Sequence, residues 1–343
     1  SLFGYNSLKW DKRIEPVRYQ EAKKSYVETL ELVSANAINK FFALATAQSN
    51  YDIASFNYAN ADTLYRYAQG RYNIGTITEN EMLQLELNRL TEETNRMNAR
   101  IEMDNCMQEL RSYLGIQEER EIRVRVSSRI PDFSINLNEA LALAYENSPD
   151  IQTMKRRKLE SESAVARARA NAGLKADIYL RFGLTQTADK LPEAYRNLLD
   201  QQYVSLSISL PILDWGRGKG QVRVARSNRD LVYTQVEQNR TDFELNVRKL
   251  VKQFNLQTQR VRIAARTDET AQRRNEVARK LYILGKSTIL DLNASISEKD
   301  SARRNYVSAL YNYWSLYYTL RSMTLYDFES NKLLTEDYNL LIE

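Results

Sequence analysis

The sequence lacks histidine and contains very little cysteine, glycine or proline. Its 343 residues include no His, one Cys (Cys106), ten Gly and five Pro. Without histidine, Ser-His-Asp and Cys-His catalysis, histidine-dependent metal sites and imidazole proton shuttles are excluded. A single cysteine can form neither an intramolecular disulfide nor a CxxC metal site. We therefore expect no enzyme activity, no catalytic residues, no cofactor and no metal site.

Long apolar runs and a strong excess of one charge are also missing. The mean hydropathy is −0.57 and 27% of the residues are charged. No run of about 18 apolar residues exists that would indicate a membrane-spanning helix. The 49 basic and 44 acidic residues are mixed along the chain, for a net charge of +5. This pattern is typical of a solvated surface, so we predict no nucleic-acid partner.

The few glycines and prolines leave long uninterrupted stretches. Neither residue occurs in the 53 positions between Pro16 and Gly70, in the 64 positions of 221–284, or after Gly285. These stretches favour helix, and a 53-residue helix would be about 80 Å long, far beyond the average globular helix of about 11–12 residues. Their apolar positions form only a narrow stripe. That stripe favours a hollow assembly of coiled helices, although an ordinary cytosolic coiled coil remains an alternative.

Two parts of the sequence match each other at a constant offset of 210 residues. Gly75 and Gly285 each separate two long helical stretches, and glycine is favoured in the left-handed conformation that ends helices. The offset also matches Tyr72 with Tyr282, and Leu110-Arg111-Ser112 with Leu320-Arg321-Ser322. We interpret the pattern as a tandem duplication of a strand–helix–tip–helix unit, with tip turns near 72–80 and 282–291.

Residues 178–187 and 203–212 interrupt the helical pattern with a period of two. The alternation predicts two strands, each with one apolar and one polar face. Each run is about ten residues long, which suits a tilted strand that crosses a bilayer. Trp215 follows at a position expected for an interfacial aromatic residue. The apolar, predicted lipid-facing residues are Ile178, Leu180, Phe182, Leu184, Val204, Leu206, Ile208 and Leu210.

The same alternation also fits a soluble amphipathic hairpin, which remains an alternative at this point. Two strands cannot span a membrane alone, because their edge groups would be unpaired in lipid. A membrane role therefore requires strands from other copies or from an upstream segment. The chain starts at Ser1 without a Met or a signal peptide, and its first residues resemble the end of a strand. We expect the first repeat to be incomplete at its N-terminus.

Four segments together resemble the TolC-like outer-membrane efflux protein family. They are ALALAYENSPD at 140–150, VARARANAGL at 165–174, SISLPILDWG at 207–216 and the tip that begins with YILG at 282–285. The resemblance implies a fold that is mainly α with a small β part. Long α-helical hairpins in tandem repeat would form a periplasmic tunnel, joined to transmembrane β-barrel strands in a trimeric α/β-barrel. It also implies that roughly a hundred residues of the repeat pattern precede Ser1.

The resemblance and the repeat assign a place in this fold to each part of the chain. The predicted segments are the end of a barrel strand (1–8), the first helical hairpin (9–114), an equatorial segment (115–137), equatorial and tunnel helices (138–174), a transmembrane β-hairpin (175–215) with an external loop (188–202), the second helical hairpin (216–322) and an equatorial tail (323–343).

By resemblance, the function is that of an outer-membrane exit duct of a tripartite efflux pump or a type I secretion system. Such a duct passively conducts small molecules or proteins from the periplasm to the exterior. The implied partners are two further copies in a homotrimer, a periplasmic adaptor (membrane fusion protein), an inner-membrane transporter and outer-membrane lipid. The implied location is the bacterial cell outer membrane, extending into the periplasm.

Two alternatives to this interpretation are a periplasmic adaptor and a structural coiled-coil protein. A periplasmic adaptor carries a single hairpin in a β-rich chain, whereas this sequence has two hairpins and few strands. A structural coiled coil gives no reason for two strands of membrane-crossing length.

The resemblance further implies that residues near the tips close the tunnel entrance. Asp291 would line the pore, Tyr282 and Glu81 would form a gate contact, and Gly75 and Gly285 would form the tip turns. Three symmetry-related carboxylates near one axis repel each other and attract cations. The alternative interpretation is that Asp291 is a solvated charge at the start of a helix, where Asp is common.

Overall fold

Long helices dominate the computed structural model, which describes residues 4–118, 121–127, 130–185, 199–209 and 213–334. Six α-helices and two antiparallel strand pairs follow one another within these residues. In chain order they are α1 (Ser7–Asn73), α2 (Glu79–Tyr113), α3 (Leu137–Asn147), α4 (Pro149–Asn171), β1 (Lys175–Thr185), β2 (Leu199–Ser209), α5 (Arg217–Ile283), α6 (Ile289–Thr324), β3 (Tyr326–Asp327) and β4 (Lys332–Leu333).

The chain divides into two units. The first comprises Ser1–Ser25 and Glu146–Leu245, and it contains the β1–β2 pair, α4 and the first parts of α1 and α5. The second comprises Tyr26–Tyr145 and Asn246–Glu343, and it contains the rest of α1 and α5 together with α2, most of α3 and α6. Every helix in the described residues falls short of the combined length and apolarity that a bilayer crossing requires.

Several element boundaries differ from those predicted by the sequence pattern, among them the starts of α1 and β2. Helix α1 begins at Ser7, because the side-chain Oδ1 of Asn6 accepts the backbone N–H of Lys9 at 2.9 Å and so serves the first turn. Strand β2 begins at Leu199, where the pattern predicted a loop to residue 202. The reason is that the cross-strand register continues as far as the pair Thr185 and Leu199.

In the second unit, buried residues recur every seven positions on three helices. They are Ala47, Ala54, Ala61 and Ala68 on α1, Val247, Phe254, Val261, Asp268 and Asn275 on α5, and Ser295, Ala302 and Ala309 on α6. A seven-residue period is the signature of left-handed coiled helices, whose seam faces its partner once per two turns. The seam is made of small residues on α1 and α6, and it changes from apolar to polar along α5.

An aromatic cluster anchors the connection between α2 and α3 to the second unit. The ring centroids of Phe254 and Tyr313 are 5.1 Å apart, and Phe133 of the connection lies 5.4 Å from Phe254. The hydroxyl of Tyr313 donates to the backbone oxygen of Pro131 at 3.0 Å. These aromatic residues pack the segment against α5 and α6.

An ion pair anchors the first unit. Arg156 of α4 donates to both carboxylate oxygens of Glu21 on α1, from Nε at 2.6 Å and from Nη2 at 3.0 Å. Hydrogen bonding by Arg156 lowers the pKa of Glu21 despite partial burial. This bidentate pair fixes the start of α1 against α4.

Candidate functional site

The β1–β2 pair is the first candidate element, because its register collects the apolar residues on one face. Ile178 lies opposite Leu206, and Leu180 lies opposite Val204. Directly opposed residues in an antiparallel pair point to the same face. Phe182, Leu184 and Ile208 belong to the same alternating set, and the polar residues on this face are Gln202 opposite Phe182 and Asp200 opposite Leu184, toward the far end of the hairpin. Of the predicted lipid-facing residues, Leu210 lies outside the described part of the chain.

The apolar side chains of this face are exposed to solvent. Phe182 is 70% exposed, Val204 69% and Leu206 60%. A two-stranded hairpin is marginal in water, and a contiguous apolar surface of this kind marks a site of contact with another protein or with a membrane.

The opposite face of the hairpin is polar. It carries Tyr179 opposite Ser205 and Arg181 opposite Tyr203. The rings of Tyr179 and Tyr203 make an edge-to-face contact with centroids 6.4 Å apart. Hydroxyl-rich strand surface of this type tolerates water and offers little to a dry protein core.

The polypeptide turns sharply between the hairpin and α5. Trp215 is 95% exposed and, like the following Gly216, has a positive φ angle, of 54° and 82° respectively. The two carboxylate oxygens of Asp214 accept the backbone N–H groups of Gly216 at 3.0 Å and Gly218 at 2.8 Å. These bonds, first that of Gly218, lower the pKa of Asp214. Asp214 therefore satisfies backbone N–H groups at the start of α5 that have no partner within the helix.

The first tip turn joins α1 to α2 through Gly75. Its φ angle of +73° is left-handed, and its N–H donates to the backbone oxygen of Tyr72 at 2.9 Å. Thr78 then begins α2 with a reciprocal capping box. Its side chain accepts the N–H of Glu81 at 3.2 Å, while Oε2 of Glu81 accepts the N–H of Thr78 at 3.0 Å.

The second tip turn repeats this arrangement between α5 and α6. Gly285 has a φ angle of +69° and bonds to Tyr282 at 3.0 Å. Thr288 and Asp291 form the capping box, and Oδ2 of Asp291 also accepts the hydroxyl groups of Thr288 at 2.7 Å and Ser287 at 3.2 Å. These bonds, first the one from the side chain of Thr288, lower the pKa of Asp291.

Tyr282, at the second tip, is half-buried. Burial raises its pKa, and the charges of Arg71 and Glu81 are close enough to act on it, Arg71 lowering and Glu81 raising the pKa. Within the described residues its hydroxyl makes no hydrogen bond to Glu81, whose Oε2 serves the cap of α2. The structure thus brings Tyr282 and Glu81 near each other without a direct bond.

The two capping threonines were not singled out from the sequence, although their signal was present. Thr78 and Glu81, and Thr288 and Asp291, have the spacing of a capping box, in which a Thr is followed three residues later by an acidic residue. Asp291 and Glu81 therefore have a structural role at their helix starts in addition to any role in a pore. Within the described residues, no group of three or more acidic or cysteine side chains is placed to hold a metal ion.

Solved structures similar to this chain are outer-membrane channels and membrane proteins. The CmeC outer membrane channel of Campylobacter jejuni has a TM-score of 0.76 at 16% identity, covering 97% of this chain and 70% of that one. A membrane protein of Pseudomonas aeruginosa has a TM-score of 0.74 at 12% identity, covering 97% and 74%. The outer membrane protein VceC of Vibrio cholerae has a TM-score of 0.70 at 16% identity, covering 92% and 76%. At these identities the likeness shows a shared fold.

Comparison at the level of sequence gives the family. No curated protein sequence matches the chain. The family model described as outer membrane efflux protein matches residues 140–324, which is more than half of the chain. The resemblance noted from the sequence motifs is confirmed: this chain belongs to the outer membrane efflux protein family.

Proposed function

We propose that this protein is the outer-membrane exit duct of a tripartite efflux pump or a type I secretion system. It passively conducts small molecules or proteins that an inner-membrane transporter and a periplasmic adaptor deliver. The observation that carries the proposal is the β1–β2 hairpin, whose apolar face is exposed in a chain otherwise built of very long helices.

The dimensions of the hairpin suit a bilayer. Each strand has 11 residues, and about 9–11 residues in a tilted strand cross the hydrocarbon layer. Lipid offers no partner for an open strand edge, so a membrane-spanning sheet must close on itself. We therefore propose that copies of the chain combine as a homotrimer and that their strands form one barrel. Leu180, Phe182, Leu184, Val204, Leu206 and Ile208 face lipid in this proposal.

The helices suit a conduit that extends away from the membrane. Helices α1 and α5 have 67 residues each, which corresponds to about 100 Å at about 1.5 Å per residue. Helices of this length, with a seven-residue seam, pack side by side into a tube more readily than into a globule. We propose that they enclose a periplasmic tunnel whose far end meets the adaptor.

The tips form the entrance in this proposal, with Asp291, Glu81 and Tyr282 as gate residues. One oxygen of each carboxylate serves the capping box, Oε2 in Glu81 and Oδ2 in Asp291. The other oxygen makes no hydrogen bond within the described residues, so each carboxylate can cap its helix and still present charge to a passing ion. Three copies of Asp291 around one axis would then favour cations.

The proposed function is tested by oligomeric state and conductance of the full-length protein. Purified in detergent, it is expected to run as a trimer, and after addition to planar lipid bilayers it is expected to produce discrete conductance steps. A long helical tube around an aqueous path gives ions a route that a structural coiled coil lacks. Protein that stays monomeric without detergent and leaves the bilayers silent would rule out the duct.

The role of Asp291 is separated from its capping role by two substitutions. Asp291→Asn keeps an oxygen that can accept from Thr288, so we expect unchanged helix content but reduced preference for cations, measured as a reversal potential shifted toward zero under a salt gradient. Asp291→Ala removes both the charge and the capping oxygen. It is therefore expected to reduce the preference for cations and also to destabilise the start of α6. Within one protomer the cap bonds lower the pKa of Asp291. The stabilising effect of the cap is therefore present above the unfolded-state pKa and is lost as pH falls through the lowered folded-state pKa. An unaltered reversal potential in Asp291→Asn would place this carboxylate outside the ion path.

A further inference from the structure

Positive charge is concentrated where the β1–β2 hairpin joins the helices. Residues 164–177 and 213–226 flank the base of the hairpin and contain seven basic residues against two acidic ones, although basic and acidic residues number 49 and 44 in the whole chain. We call these seven residues the basic collar: Arg167, Arg169, Lys175, Arg217, Lys219, Arg223 and Arg226.

The collar lies at one level because α4 and α5 touch at the base of the hairpin. A Cβ atom on Gly218 would lie 3.0 Å from Cβ of Ala172, at the end of α4. The first pair of the sheet, Lys175 with Ser209, lies directly beyond this contact. At about 1.5 Å per residue, Arg226 lies about 14 Å along the helix axis from the start of α5, and Arg167 lies about 6 Å before the end of α4.

The collar charges on α5 are available to a ligand, whereas Arg167 on α4 stacks on the ring of Tyr5 with its Cζ 4.6 Å from the ring centroid. Lys219, Arg223 and Arg226 are exposed and follow the i, i+4, i+7 spacing of one face of α5. Within the described residues, no collar residue on α5 forms an ion pair, whereas many other arginines of the chain do. The nearby carboxylate of Asp214 accepts the backbone N–H groups of Gly216 and Gly218, and it attracts the charge of Lys219 without forming an ion pair within the described residues.

The excess of positive charge is confined to this end of the hairpin. The sequence that links the other ends of the two strands, residues 186–198, contains two acidic and two basic residues and is therefore balanced. A general need for solubility would not explain why the positive charge is concentrated at one end of the hairpin. A negatively charged surface on one side of the membrane would explain it.

We propose that the basic collar binds the phosphate groups of anionic phospholipid headgroups in the leaflet around the base of the strands. This inference rests on the proposed membrane insertion of β1–β2. Exposed Lys and Arg side chains next to an anionic leaflet are attracted to it, and the planar guanidinium group bonds phosphate oxygens in pairs. The collar would select the lipids around the protein and hold the hairpin at a fixed depth.

The test compares lipid selection by two variants of the full-length protein with equal loss of charge. The collar variant carries Arg217→Gln, Lys219→Gln and Arg223→Gln. The control carries Lys249→Gln, Lys252→Gln and Arg260→Gln, three exposed positions farther along the same helix. Each protein is reconstituted into zwitterionic lipid alone and into the same lipid mixed with phosphatidylglycerol. It is then extracted, and the retained lipids are quantified.

Wild type and control are expected to retain phosphatidylglycerol in excess over the bulk mixture. In the collar variant this enrichment is expected to be about fivefold smaller. Inorganic phosphate added to the mixed bilayers is expected to leave the enrichment unchanged, whereas competition by free phosphate would contradict selection of the lipid itself. Equal enrichment in all three proteins would overturn the proposal that the basic collar selects anionic lipid. Failure of every protein to insert into either bilayer would instead refute the proposed membrane function.

Discussion

Lysine in place of Leu206 or Ile208 is expected to block assembly of the protein in the membrane. Both residues lie on the exposed apolar face of β2, opposite Ile178 and Ala176 respectively. On a lipid face, Lys costs about 2–4 kcal/mol at the bilayer midplane and less toward the interfaces. We expect the larger effect at Leu206, which is farther from the end of the strand at Ser209. The measurement is the fraction of full-length protein recovered as detergent-stable oligomer from membranes.

The neighbouring residues on the polar face provide a matched control. Ser205 and Ser207 lie on the same strand, opposite Tyr179 and Asp177. Lysine at either position adds the same charge and length but points to the other side of the sheet. We expect Ser205→Lys and Ser207→Lys to assemble normally. Normal assembly of Leu206→Lys as well would refute the lipid-facing assignment, and failure of the serine variants alone would reverse the two faces.

Much of the helical architecture could be predicted from the sequence because its signals are local. The lack of glycine and proline between Pro16 and Gly70 permits one unbroken helix, and α1 runs through this whole stretch. Period-two alternation is equally local, which is why the β1–β2 hairpin was predicted in the correct part of the chain. The helical fold and the family follow from such features.

The polar seam of the second unit could not be predicted, because it depends on which helices pack together. Oδ2 of Asp268 on α5 accepts from Gln272 at 3.0 Å and from Arg303 of α6 at 3.1 Å, and Asn275 donates to Ser295 at 3.0 Å. In a chain with 49 basic and 44 acidic residues, many pairings are equally plausible. Only the packing register of α5 against α6 selects these.

The basic collar was overlooked for a different reason. Its residues come from two segments that are separated in sequence by the whole hairpin, and the net charge of +5 conceals a local excess. Closure of β1 against β2 brings the two segments together, because antiparallel pairing places the start of one strand beside the end of the other.

A buried ionic cluster in the second unit joins helices that are far apart in sequence. Nη2 of Arg321 on α6 donates to Oε1 of Glu31 on α1 at 3.0 Å, and Nη1 lies 3.5 Å from Asp327, just after α6. The side chains of Arg321 and Glu31 are only 16% and 11% exposed. Tyr317 donates its hydroxyl to Asp327, and burial raises the pKa of Tyr317, which keeps this donor protonated. Burial alone would raise the pKa of Asp327, but the hydrogen bonds from Tyr317, Ser330 and Glu329 outweigh it and lower that pKa.

Replacing Arg321 with Met is expected to destabilise the protein by about 3–5 kcal/mol, because it leaves the buried carboxylate of Glu31 and that of Asp327 without their cation. Urea unfolding followed by far-ultraviolet circular dichroism in detergent measures the loss. The control is Arg266→Met, since Arg266 pairs with Glu269 at 2.7 Å on an exposed surface, where such a pair contributes about 1 kcal/mol or less.

Adding Glu31→Leu to Arg321→Met removes one of the unpaired charges and is expected to restore part of the stability. In the wild type, the lowered pKa of Asp327 makes its contribution full above the unfolded-state pKa and lost as pH falls through the folded-state pKa. Equal losses for Arg321→Met and Arg266→Met would contradict a buried cluster, and a further loss in the double variant would show that Glu31 stabilises the protein by some contact other than the ion pair.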